Sequence, residues 1–124
     1  MFNAHKLHWS ESKKQVILEI TPPCIFQREP STSRILTSYD YKDIEFLANI
    51  SDVPNAFVIA NNGFSRYHLF QCDDRDNLLK TILDFAGNYV GISMRLKKET
   101  ITLDQFWNDK FGKFRYSNKI VINS

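Results

Sequence analysis

Residues 65–94, SRYHLFQCDDRDNLLKTILDFAGNYVGISM, run a short strand directly into one amphipathic helix. From Ser65 to Cys72 the side chains alternate. Tyr67 and Leu69 fall on one side, His68 and Phe70 on the other, which is the period of two that a strand imposes. Asp73 or Asp74 then offers an N-cap oxygen, and Asp76 places negative charge where the helix dipole favours it. Leu78, Ile82, Phe85 and Tyr89, with Leu79, Leu83, Ala86 and Val90, follow at spacings of three and four and make a wide apolar stripe. A stripe of that width has to be buried against another element, and everything before it in the chain reads as strand.

The upstream strands are separated by clear punctuation. Residues 3–9 form a first, weakly patterned strand, with Lys6 and His8 among few apolar neighbours, and SESKK turns the chain. Residues 15–20 put Val16, Leu18 and Ile20 on one face; Pro22 and Pro23 end that strand because neither can donate to a ladder. Strands are expected over 24–28, 34–41, 44–50 and 56–60, with turns at EPSTS and around Pro54, and Asn61, Asn62 and Gly63 give a hairpin signal. The expected fold is α+β. It is a pleckstrin-homology-like small antiparallel β-barrel or sandwich of six to seven strands, capped by a C-terminal amphipathic helix and followed by a short second helix.

That second helix is expected over 102–111. Thr102 caps it, Leu103, Phe106, Trp107 and Phe111 share a face, and Gly112 stops it. Between the helices lies a basic run, RLKK, and after them a polar tail with an apolar patch at 120–122. The chain therefore divides into a pleckstrin-homology-like module over 1–95 and a C-terminal extension over 96–124.

Chemistry-bearing patterns are sparse. A length of 124 residues with 43% hydrophobic and 24% charged residues suits one compact core. Ten Phe, five Tyr and two Trp supply bulk to fill it. A net charge of +2 gives no global field to hold nucleic acid, and none is expected as a partner. Cys24 and Cys72 read as buried reduced thiols in a cytosolic setting, without the environment of a nucleophile. His5, His8 and His68 lack the close Cys/His spacing of a structural zinc site, and Asp73 and Asp74 are explained as caps. The glycines at 63, 87, 91 and 112 stand singly, so there is no phosphate loop. No apolar run approaches the length of a membrane span, and the first residues do not form a signal peptide. A non-catalytic protein without cofactor or metal is expected.

Anion binding is the livelier possibility. In modules of this architecture, basic residues around the first β–β loop cradle headgroups; here that segment is KLHWSESKK, with Lys6, Lys13 and Lys14 as candidates and Arg34 as an addition to the patch. Each lysine near an anionic surface contributes about 1 kcal/mol, Glu11 opposes them, and no arginine stands where a bidentate phosphate clamp is needed. A solvated polar turn is the simpler account of the loop, and a solvated face that of RLKK. As candidates for partner or inter-module contact stand Gly87 and Gly91, four apart and able to admit a neighbouring backbone, together with Arg95, Lys97, Lys98 and Trp107.

Several linked segments carry a family resemblance. HWSESKKQVILEITP, SRILTSYDYKDIE, GFSRYHLF, and above all FAGNYVGISMRLKKE followed by FGKF, resemble the N-terminal region of the receptor-mediated endocytosis protein 8 family (DnaJ homolog subfamily C member 13), and this from about His8 to Phe114. The resemblance implies the second pleckstrin-homology-like module of very long, endosomal J proteins built of helical repeats around a J domain. The His-Pro-Asp motif of that domain is absent here, so this segment does not itself stimulate a chaperone ATPase. Also implied are endocytic membrane trafficking and protein transport, and a cytoplasmic, peripheral location on early endosomes. The partners implied are neighbouring modules of the parent chain and, through the whole protein, the constitutive heat-shock chaperone and sorting nexins. The family's lipid-contact residues belong to the preceding module. The leading expectation is a co-chaperone module that supports endosome recruitment by protein or intramolecular interaction. Direct phosphoinositide binding, to phosphatidylinositol 3-phosphate, is the alternative.

Overall fold

The computed structural model describes residues 1–8, 12–61 and 67–107. Seven strands, β1 (Phe2–Leu7), β2 (Lys13–Ile20), β3 (Cys24–Arg28), β4 (Ile35–Asp40), β5 (Ile44–Asn49), β6 (Ala56–Asn61) and β7 (Tyr67–Gln71), make one antiparallel sheet in the order β4-β3-β2-β1-β7-β6-β5. The join of β1 to β7 is short, pairing His5 with Gln71 and Lys6 with Phe70, so the sheet bends there into two halves. Helix α1 (Arg75–Phe85) closes the space between them, as expected of the pleckstrin-homology-like architecture.

Alternation decides which side chains enter that space. Val16 and Leu18 of β2, Ile25 of β3, Tyr39 of β4, Leu47 of β5, Phe57 and Ile59 of β6 and Phe70 of β7 point inward, where Leu78, Leu79, Ile82 and Ala86 from the helix side meet them. Each fully buried large side chain contributes about 1.5–3 kcal/mol of transfer free energy. Tyr67 and Leu69 do oppose His68 and Phe70, but β5, β6 and β7 are buried on both faces. Phe46, Ala48, Ile50, Ala56, Val58, Ala60 and Leu69 form a second, outer core.

The extension covers that outer core. Residues 95–101 run parallel to β5, with Leu47 N–H donating to Arg95 O at 2.8 Å and Lys97 N–H to Leu47 O at 2.9 Å. Ile101 N–H then donates to Asn49 O at 3.0 Å. RLKK is thus a strap on an edge strand, satisfying amides that would otherwise be open to another chain. Helix α2, described over 103–107, follows it. Thr102 and Gln105 cap each other: Gln105 N–H donates to Thr102 Oγ1 at 3.1 Å, and Thr102 N–H to Gln105 Oε1 at 2.9 Å. Phe106, 1% exposed, is the lid of the outer core, with Leu103 and Trp107 packed beside it.

Several local expectations are corrected. The first strand is Phe2–Leu7, and β4 ends in a 3-10 turn, Tyr41–Asp43, whose N-cap is the Asp40 carboxylate accepting from Lys42 N–H. Asp74 holds the N-cap position of α1, yet its carboxylate accepts from the Asn77 side chain and makes no side-chain bond to a helix amide. The helix does not run uniformly to Val90; Ala86–Val90 is a π-helical turn, which leaves Tyr89 62% exposed. Cys72 is buried, whereas Cys24 is only half-buried. Trp9, Asn62, Gly63, Ser65, Phe111, Gly112 and the tail lie outside the described residues.

Candidate functional site

The expected basic cluster is built from strands, not from the loop they flank. Lys6 and Lys14 are direct partners in the β1–β2 ladder, as are Leu7 and Lys13. Partners share a face, so Lys6 and Lys14 stand on the inner face with Ala4 and Val16, while Lys13 lies on the outer one. Antiparallel succession brings the ends of β1, β3 and β6 and the starts of β2, β4 and β7 to one rim of the sheet. All four candidate cations lie along that rim or beside it, Arg34 in the β3–β4 turn.

Each has a distinct environment. Lys6 is half-buried, its Nζ 3.3 Å from His68 Nδ1 and 5.8 Å from the centroid of the Phe70 ring. Lys13 Nζ donates to Gln71 Oε1 at 3.1 Å. Arg34 pairs with Glu29 at 3.3 Å, its side chain 71% exposed. Lys14 is exposed. Behind Lys6, the Tyr39 ring meets His68 edge-on at 4.9 Å, and Tyr39 Oη donates to the buried Gln27 at 2.7 Å. Gln27, Tyr39 and His68 were absent from the sequence candidates. Gln27 is detectable as a polar residue at an inward strand position, two from Ile25.

The other candidates do not form one site. Arg95 and Lys98 project from the strap, and Lys97 Nζ sits 4.0 Å above the Phe46 ring, a cation–π contact that seals the outer core. Trp107 packs edge-on against Phe106 at 4.7 Å and also lines a cleft of about 370 Å³ with Leu7, Val53, Leu69 and Leu103. Gly91 has φ 75° and terminates the helical segment, Ile92 N–H donating back to Ala86 O at 2.9 Å. Among the described residues, a Cβ built at Gly87 meets only the Ile92 carbonyl oxygen, at 4.0 Å, an ordinary van der Waals distance. Both glycines line an open groove of about 440 Å³ with Leu83, Ile92, Ser93 and Met94.

Among the described residues no group of three or more His, Cys, Asp or Glu side chains is placed to hold a metal ion. No helix among them is long and apolar enough to cross a membrane.

Comparison with known proteins agrees with the architecture. A crystal structure of the C-terminal domain of an unknown protein from Leishmania infantum superposes with a TM-score of 0.56 at 20% sequence identity, over 68% of this chain and 78% of that one, a likeness of fold. No curated protein matches the chain. The family described as the DNAJ protein RME-8 2nd domain matches residues 2–94. With the strand order, the closing helix and that match over most of its length, the chain belongs to the second-domain family of the DNAJ protein RME-8.

Proposed function

We propose that this chain is a non-catalytic recruitment module of its J protein, working at the early endosome through protein contact, with a neighbouring domain or a separate partner. The state of the cations carries this reading. Lys6, Lys13 and Arg34 are each already engaged by side chains of their own domain, Lys6 on the inner face of β1, Lys13 on the outer face of β2 and Arg34 in the β3–β4 turn. Each of these contacts occupies a donor and holds its side chain in place, so a phosphate shares the group with its present partner instead of meeting a freely solvated cation. The reading extends to a cytoplasmic, peripheral location in endocytic traffic, with the constitutive heat-shock chaperone and sorting nexins met through the whole protein.

A second reading, direct binding of phosphatidylinositol 3-phosphate, is favoured by the pairing of Lys6 with Lys14 on the inner face of the rim. Two cations opposed across one ladder, with His68 behind them, are suited to a single phosphate.

Flotation of the 124-residue chain with vesicles, plain or doped with phosphatidylinositol 3-phosphate, at low and moderate salt separates the two. The first reading expects no flotation by the folded chain, and reduced endosomal recruitment of the J protein when this domain is removed. Lipid-dependent flotation that weakens with salt and is lost in Lys6→Gln/Lys14→Gln establishes the second instead.

A further inference from the structure

We infer that the outer edge of β5 is a strand-binding site held shut in cis by residues 95–100 of the strap. Its ligand is an extended segment of a partner protein that runs parallel to β5 and carries an aliphatic residue followed directly by a basic one. The inference rests on the protein-contact reading above and names the site and the kind of segment it takes.

The edge lies inside the family domain, whereas its cover lies outside it. β5 falls within the matched residues 2–94, and among the described residues those that pair with its outer edge come after them. An edge strand offers its free backbone groups to any extended segment with suitable side chains. The strap occupies the edge as such a ligand would. Leu47 N–H donates to Arg95 O, and Leu47 O accepts from Lys97 N–H, the paired bonds that a parallel ladder makes around one residue. Side chains set the preference. Leu96 packs against the inner core, while Lys97, on the opposite side of the strap, holds its Nζ 4.0 Å above the Phe46 ring.

The strap fits this edge imperfectly. Its bridge residues Leu96 and Ile101 are five positions apart, but their partners Leu47 and Ile50 are only three apart. The surplus is taken up at residues 98–100, all of them exposed. A strand in regular parallel register passes from Leu47 to Asn49 without such a loop. The slack also lets residues 95–100 lift away while both ends stay docked. Ile92 N–H is held by Ala86 O at one end, and Leu103 N–H by Asp52 Oδ1 at 2.8 Å at the other, where Phe106 remains buried. A local opening of this kind costs less than unfolding the domain, so the outer core keeps its lid during exchange. Tethering gives the strap an effective concentration on the order of millimolar, and only a partner segment of matching chemistry competes with it.

The test uses the 124-residue chain and a fluorescent peptide of the strap's own sequence, residues 94–100, read by anisotropy. The inference expects weak binding to the unaltered chain and binding at least about tenfold tighter to Leu96→Asp, whose own strap no longer competes. Replacing the peptide's leucine with aspartate abolishes that binding. Methylating the peptide nitrogen that corresponds to Lys97 abolishes it too, because the donor to Leu47 O is gone. Amide hydrogen exchange on the unaltered chain supplies a second readout if Leu96→Asp does not fold. The Leu47 and Lys97 amides should then exchange at least about tenfold faster than those of the central strand β6. Edge amides that exchange only as fast as those of β6 overturn the inference. So does a folded Leu96→Asp chain that binds no peptide, or binds the methylated one equally well. The protein-contact reading survives any of these results, since it is decided by the flotation and recruitment measurements.

Discussion

Tyr39 Oη donates a 2.7 Å hydrogen bond to Oε1 of Gln27, and both side chains are buried. The pair joins β4 to β3 on the inner face of the sheet. His68 and Phe70 stand edge-on to the Tyr39 ring, so the phenol also fixes the packing of β7.

Tyr39→Phe leaves Gln27 Oε1 without its donor in a buried site. A loss of about 1–3 kcal/mol is expected in urea unfolding. Combining it with Gln27→Leu restores part of that loss, because neither partner is then left unsatisfied. Because phenylalanine keeps the ring, an unchanged stability in Tyr39→Phe would show that the bond contributes nothing.

High pH should destabilise the fold. Burial pushes the Tyr39 phenol up, Tyr41 rises by burial and then by its proximity to Cys24, and the Cys72 thiol rises mainly by burial. For an acid whose pKa is raised on folding, the stabilising proton is present in both states at low pH. The unfolded chain releases it first as pH rises. Stability is therefore full below about pH 8 and falls from about pH 9 upward, where free thiols and phenols ionise. Unfolding midpoints measured across pH 7 to 11 check the sign, and a midpoint that rises with pH contradicts it.

The two glycines should respond in opposite directions. At Gly91, with φ 75°, alanine is forced into the left-handed region and costs about 1–2 kcal/mol. At Gly87, where space is open, alanine gains up to about 1 kcal/mol from backbone entropy. Thermal unfolding of both variants distinguishes a conformational glycine from one whose role lies at the surface.

The strap should be part of the folding unit. Phe106→Ala empties a buried aromatic site and is expected to cost about 3–5 kcal/mol. Thr102→Ala, which opens the reciprocal cap, costs about 0.5–2 kcal/mol. A chain ending at Met94 exposes the outer core over β5, β6 and β7 and should bind a hydrophobic dye. A cooperative, dye-negative fragment 1–94 would make the strap dispensable.

The sequence by itself determined the strand-to-helix succession, the strand cores of β2, β3, β5 and β6 and the capping role of Thr102. All depend on contacts within a few residues, where side-chain period and capping chemistry act directly. Tertiary structure alone decided the rest. Whether Lys6 meets Lys14 or Lys13 is a matter of register, and a shift of one residue would reverse their faces. RLKK reads as a solvated charge run because its backbone, not its side chains, makes the long-range bonds to β5. Tyr89 sits on the apolar period of the helix, yet the π turn rotates it to solvent. Gly91 is explained by a dihedral angle that composition does not reveal. Local patterns choose the elements, while the faces those elements present are set by pairings between residues far apart in the chain.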